Sequence, residues 1–134
     1  MIRIVADTNI LVSATIAKGN QYELLKKAKL GSFRLVISPQ IIAELKGVIS
    51  RPKFGFSNEQ VEAVLKQILS ISEVVITTSK IDVIKNDPPD NRIIEAAIDG
   101  KASCVVSGDK DLLRLKKFKG IKIVTARKFL EKFR

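Results

Sequence analysis

Short runs of β-branched and aliphatic residues alternate along the chain with longer stretches whose apolar positions recur at helical spacing. Residues 2–6 read as a buried strand, and residues 21–30 as an amphipathic helix that Gly31 stops. Residues 34–37 form the second strand. Ser38 and Pro39 then offer an N-cap and a proline at the first helical position, opening a helix to about Ile49, ahead of the break at Arg51 and Pro52. Ser57 and Gln60 have the spacing of a capping box, which predicts a helix to about Leu69. Residues 73–76 are the third strand, 91–99 a helix closed by Gly100, 103–106 the fourth strand and 121–124 the fifth. Thr125 caps the last helix.

Strands that are nearly continuous in apolar residues and separated by helices predict an α/β fold. The expected architecture is a central parallel sheet of about five strands, flanked by helices on both faces. The 134 residues suit a single domain, 1–134, with one buried core, and no repeat, low-complexity tract or composition shift marks a linker. The opening MIRIVADTN is too short an apolar run for a signal segment or a membrane span. The expectation is a soluble, cytoplasmic protein with no membrane partner.

Ligands of open parallel sheets sit beyond the carboxyl ends of the strands, and the acids fall near that edge. Asp7 follows strand one, Glu44 lies about two turns into the helix after strand two, and Asp90 begins the helix before strand four. Asp109 and Asp111 follow strand four. Each has a plainer reading: Asp7 and Asp90 equally fit helix caps, Glu44 a residue bordering an apolar face, and Asp109 and Asp111 turn positions after Gly108. Jointly those readings are costly. Two carboxylates about 4 Å apart repel by roughly 4 kcal/mol at an effective dielectric of about 20. Convergence therefore calls for a counter-charge or a proton, and a divalent cation supplies the first.

Composition narrows the chemistry further. With no histidine, nucleophile systems built on imidazole and imidazole metal sites are excluded. The one cysteine, Cys104, lies in an apolar run and reads as a small buried hydrophobe. Any metal ligands are thus oxygens, which favours Mg²⁺ or Mn²⁺. Twenty-four Lys and Arg against fourteen Asp and Glu leave a net charge of +10, suited to a polyanion such as nucleic acid, although lysines that only confer solubility would look the same.

Four stretches in order, VADTNILV, SPQIIAEL, DPPDNRIIEAA and VVSGDKDLL, resemble a PIN-domain ribonuclease, most closely the toxin components of toxin-antitoxin pairs related to VapC-type toxins. The resemblance spans essentially the whole chain and implies a single PIN-like domain. It places Asp7, Glu44, Asp90 and Asp109 at the family's four metal-binding acids, with Asp111 as an additional catalytic acid. Asn9 and Ser107 match polar positions that support the acids by hydrogen bonds. It also implies an RNA substrate, a homodimer, and an antitoxin partner that blocks the acidic pocket. The expected chemistry is cation-assisted, in-line hydrolysis of an RNA phosphodiester.

Other charged residues are assigned by position. Asp87, before two prolines, reads as a loop residue. Glu95 and Asp99 lie about 140° and 180° around the helix from Asp90 and are expected to face elsewhere. Arg92 and Lys110 flank the acids, and with Arg114, Lys116 and Lys117 they form a candidate RNA track, though a solvated charged face has the same pattern. Two other readings stay open. A haloacid-dehalogenase-like phosphatase also uses an aspartate after strand one, but needs a second acid where this chain has Asn9. A catalytically silent PIN scaffold would bind RNA or a protein without cleaving.

Overall fold

Strand β1 (Arg3–Ala6) buries Ile4, Val5 and Ala6 in succession. Neighbouring side chains of a strand point to opposite faces, so such a strand requires cover on both sides of its sheet. The computed structural model, which describes residues 1–133, provides it. With β2 (Arg34–Ile37), β3 (Ser72–Val74), β4 (Cys104–Val106), β5 (Lys117–Phe118) and β6 (Ile121–Val124), the strands form a six-stranded sheet of order β3-β2-β1-β4-β6-β5. Every pairing is parallel except β5 with β6; Val5 stands opposite Val36 on one side and Val105 on the other.

Helices α1 (Thr8–Ile16), α2 (Asn20–Lys29), α3 (Pro39–Ile49), α4 (Asn58–Ser70), α5 (Asp90–Asp99), α6 (Lys110–Leu115) and α7 (Ala126–Leu130) fill the connections. The predicted caps form: Ser38 accepts from the Ile41 amide, Ser57 and Gln60 close a reciprocal capping box, and Thr125 accepts from Lys128. Phe33 meets Phe129 edge-on at 5.1 Å between ring centres, tying α7 to the start of β2. Among the described residues, no helix is long and apolar enough to cross a membrane.

Four elements depart from the expected set, one of them α6, which forms where the sequence suggests only turn positions after Gly108. Helix α1 lies outside the expected elements, because in TNILVSATI the polar Thr8, Asn9, Ser13 and Thr15 are spread among the apolar residues and leave no clear helical period. The third strand is shorter and earlier, Ser72–Val74 rather than residues 73–76. The sixth strand, β5, spans two residues and turns into β6 through Lys119 and Gly120, both at positive φ, a hairpin turn in which lysine is an unusual first residue.

Residues 75–89, between β3 and α5, contain no helix or strand. One face of α5 supplies the hydrogen bonds that a strand partner would have given. Asp99 accepts from the amides of Thr78 and Ser79 (2.6 and 2.9 Å) and from the Ser79 hydroxyl (2.6 Å). Glu95 accepts from the Ile81 amide (2.9 Å), and Asn91 from those of Val83 and Ile84 (3.0 and 2.9 Å). Positions 91, 95 and 99 are spaced by four, so they lie along one side of the helix.

Helix α5 closes against the sheet at Gly100, whose carbonyl accepts from Arg3 Nε at 2.7 Å. A Cβ at Gly100 would stand 2.6 Å from Val36 Cγ1 and 2.7 Å from the Ala96 carbonyl, so close approach, rather than backbone angle, demands glycine there. Gly100→Ala is expected to cost about 2 kcal/mol. In urea this lowers the unfolding midpoint at constant slope, and an unshifted midpoint would show that α5 can move away freely.

Candidate metal centre

The order of the sheet reverses at β1. The chain runs outward through β2 and β3 on one side and returns to place β4 on the other, which opens a crevice at the carboxyl ends of β1 and β4. The amide of Asp7 continues the pairing by donating to the Val106 carbonyl at 3.0 Å, so Asp7 and Ser107 emerge side by side. Asp7 is 3% exposed. Its Oδ1 caps α1 by accepting from the Ile10 amide (2.9 Å), and its Oδ2 accepts a short hydrogen bond from the Ser107 hydroxyl. Ser107 Oγ in turn accepts from the Asp109 amide at 2.9 Å. Asp109 Oδ1 then caps α6, accepting from Asp111 (2.7 Å) and Leu112 (3.3 Å). Asp7 is thus a helix cap, as its plain reading expects, and so is Asp109, whereas Asp90 is not: it is the first residue of α5, whose N-cap is Pro89.

Asp90 enters from the first turn of α5, with Oδ2 buried and without a hydrogen-bond partner. Carboxylate oxygens of Asp87, Asp90 and Asp109 all lie within 4.8 Å of one another. Glu44 approaches from α3. It stands beside the Thr8 hydroxyl, which closes no hydrogen bond of normal geometry.

Burial raises the pKa of Asp7, against the Ser107 and Ile10 hydrogen bonds that favour its charged form, and the nearby Asp109 charge raises it further. Burial also raises Glu44, with Asp87 and Asp7 adding to it. Asp90 is pushed up to about 8, first by burial and then by the charges of Asp109 and Asp87. Among the described residues, no lysine or arginine closes an ion pair with these five acids. Cys104 is buried in β4 and its thiol is pushed up to about 11, so it contributes no thiolate. An all-oxygen donor set with an orphaned carboxylate oxygen fits a hard divalent cation.

The structure thus groups Asp90 and Asp109 with Asp87, which sequence reasoning left in a loop, and sets Asp7 and Glu44 near enough for the acids' charges to raise their pKa values. A signal for Asp87 was present. Its separation of three from Asp90 puts both on one side of a helical turn, and the prolines between them favour such a turn. Asp111 points elsewhere, accepting from Arg114 (3.3 Å) and, at the long limit of 3.5 Å, from Asn86. Asn9 is exposed on the outer side of α1 and makes no hydrogen bond to the acids; the supporting role expected of it falls to Ser107 alone. Arg92 is taken up by Glu95 and by the Ile81 carbonyl, at 2.8 and 3.1 Å. Arg114 is taken up by Asp111, while Lys110, Lys116 and Lys117 are exposed. An apolar groove of about 500 Å³ between α1, α2 and α4, lined by Tyr22, Leu25, Leu30, Val64 and Ile68, lies apart from the acids.

The PIN-domain family model matches residues 3–111, a span that holds every one of these acids. The chain belongs to the PIN-domain family. VapBC2 from Rickettsia felis, bound to a DNA fragment from its promoter, superposes with a TM-score of 0.62 at 22% identity, covering 91% of this chain and 97% of that one. PAE2754 from Pyrobaculum aerophilum superposes with a TM-score of 0.66 at 18% identity, covering 98% and 88%. Among the curated proteins compared, none matches the chain in sequence. Membership of the PIN-domain family sets aside the dehalogenase-like alternative, whose second acid Asn9 does not supply.

The raised pKa values of this PIN domain give a signed expectation for stability. Folded Asp90 keeps its proton up to about pH 8, whereas the unfolded chain releases it near the ordinary 3.8. The unfolded state therefore binds fewer protons across that window, and stability falls as pH rises through it. Asp7 and Glu44 act in the same direction. Asp90→Asn removes the largest contribution, so without divalent cations its Tm should exceed the parent's by about 3 °C at pH 8 and match it near pH 4. Melting curves at the two pH values check this; equal Tm at both would contradict it.

Proposed function

We propose that this PIN domain is a divalent-cation-dependent endoribonuclease that hydrolyses RNA phosphodiester bonds and serves as the toxin half of a toxin-antitoxin pair. The observation that carries the reading is the group of Asp87, Asp90 and Asp109, with oxygens within 4.8 Å of one another at the reversal point of the sheet. Beside it stand Asp7 and Glu44, whose pKa values the charges of these and neighbouring acids help raise; among the described residues no lysine or arginine closes an ion pair with any of them. Asp7, Glu44, Asp90 and Asp109 would hold Mg²⁺ or Mn²⁺. Such an ion, when bound, supplies Lewis acidity, activating a water for attack and offsetting the charge that builds on the phosphodiester.

The chain's own residues do the rest. Ser107 orients Asp7, and the cap that Asp109 forms on α6 fixes the position of its second oxygen. Asp90 would have to release its proton to hold the ion, so cation affinity is expected to rise with pH toward 8. The exposed Lys110, Lys116 and Lys117, within a net charge of +10, draw the RNA backbone towards the acids. The superposition on VapBC2 supports a protein antitoxin as partner. The same reading takes the protein as a cytoplasmic homodimer, for which exposed Ile16, Leu30 and Ile76 supply apolar surface.

Asp7→Asn tests the assignment. The amide oxygen can still accept from Ile10, and the new NH₂ can donate to Ser107, so the fold should persist. Cleavage of single-stranded and structured RNA in Mg²⁺ or Mn²⁺ should fall by about 100-fold or more at an unchanged circular dichroism spectrum. Undiminished cleavage would sink the proposal. RNA binding that persists in excess EDTA, with no cleavage of any RNA by the parent protein, would identify a silent scaffold instead.

A further inference from the structure

Asp87 lies near the end of the irregular stretch 75–89, which forms no helix or strand that would hold its last residues in place. Helix α5 does so instead, through Asn91. This side chain is 1% exposed and uses both ends of its amide. Oδ1 accepts from Val83 and Ile84, and Nδ2 donates to the carbonyls of Ile84 and Pro88, both at 2.9 Å. The Pro88 carbonyl belongs to the residue directly after Asp87. Beyond it, the amides of Asp90, Asn91 and Arg92 donate to the carbonyls of Asp87, Pro88 and Pro89, each at 3.0 Å. The turn is thereby wound as a lead-in to α5, and Asp87 comes to stand over Asp90.

The outcome is unfavourable unless something gains from it. Asp87 is half-buried, and its oxygen lies within 4.8 Å of oxygens on two other acids. A solvent-facing turn would have avoided that repulsion. The fully satisfied Asn91 amide excludes this escape, because releasing Pro88 would orphan a buried donor.

We propose that Asp87 is a fifth carboxylate of the metal centre, and that Asn91 is the positioning residue that delivers it. The inference rests on the metal-dependent reading above and adds to it a ligand that the four-acid pattern lacks. Asp87, Asp90 and Asp109 then form a compact group on the α5 side of the crevice, while Asp7 and Glu44 approach from α1 and α3. Asn91 acts on the ion only through Asp87.

Titration of Mn²⁺ into the metal-free protein, followed by calorimetry and by the electron paramagnetic resonance of free Mn²⁺, tests both halves without reference to activity. Asp87→Asn should weaken Mn²⁺ binding by about tenfold or more. Asp82→Asn, in the same stretch but exposed and paired with Lys85 at 2.7 Å, should leave it within about twofold. Asn91→Ala should weaken binding about as much as Asp87→Asn, and the double variant should bind like Asp87→Asn alone, since a residue acting through Asp87 has nothing further to remove. If Asn91→Ala does not fold, Asn91→Ser takes its place in the cycle. Additive losses would overturn the positioning role. Parent-like Mn²⁺ affinity in Asp87→Asn, with affinity lost in Asp90→Asn, would overturn the fifth ligand and leave the metal-centre reading standing. A parent protein that binds no Mn²⁺ would overturn both.

Discussion

The Ser107 hydroxyl donates to Asp7 and accepts from the amide of Asp109, joining two chain segments 100 residues apart. This link is possible only because β1 and β4 are neighbours in the sheet, their ends held in register by the Asp7 amide on the Val106 carbonyl. The outward path through β2 and β3 and the return to β4 thus define where the first and last acids meet. Everything else in the crevice is added to that pair: Glu44 by the helix after β2, Asp90 by the helix before β4, and Asp87 by the turn that Asn91 holds.

Such a concentration of acids is tolerated through division of tasks. Asp7 and Asp109 each give one oxygen to a helix N-terminus, where a negative charge is favourable, so part of their cost is met by α1 and α6. Asp90, also in the first turn of a helix, closes no capping hydrogen bond there. Its Oδ2 is buried without a partner, and its carboxyl holds a proton up to about pH 8. Asp90 is therefore the acid of the group whose charged form the structure supports least.

Much of this was legible in the chain because the relevant signals are local. The caps at Ser38, Ser57 and Thr125 and the apolar strands β1, β2, β4 and β6 depend on neighbouring residues, and each formed within a residue or two of its expected place. Asp7, Glu44, Asp90 and Asp109 were singled out through position relative to strand ends and through the family resemblance. What stayed hidden depends on tertiary context. The scattered polar residues of α1 leave no clear period to read, and β5 exists only as a partner for β6. Glu95 and Asp99 were rightly expected to face away from Asp90, but their purpose, gripping residues 78–81, requires knowing that this stretch folds back on α5. Asp87 looked like a loop residue because it is one; what places it in the crevice is an amide four positions later.

The distribution of cations follows from the same geometry. Arg92 and Arg114 lie near the acids in sequence, and both are engaged by the carboxylates Glu95 and Asp111. Arginine's planar fork suits such fixed pairing, and in each case it holds a partner at three positions along the same helix. The crevice thus keeps its negative charge uncompensated, which a cation-binding site requires. The exposed lysines act at longer range, through the field of a chain with ten more positive than negative side chains. That attraction does not depend on a particular ion pair, so it leaves the charge of the acids in place.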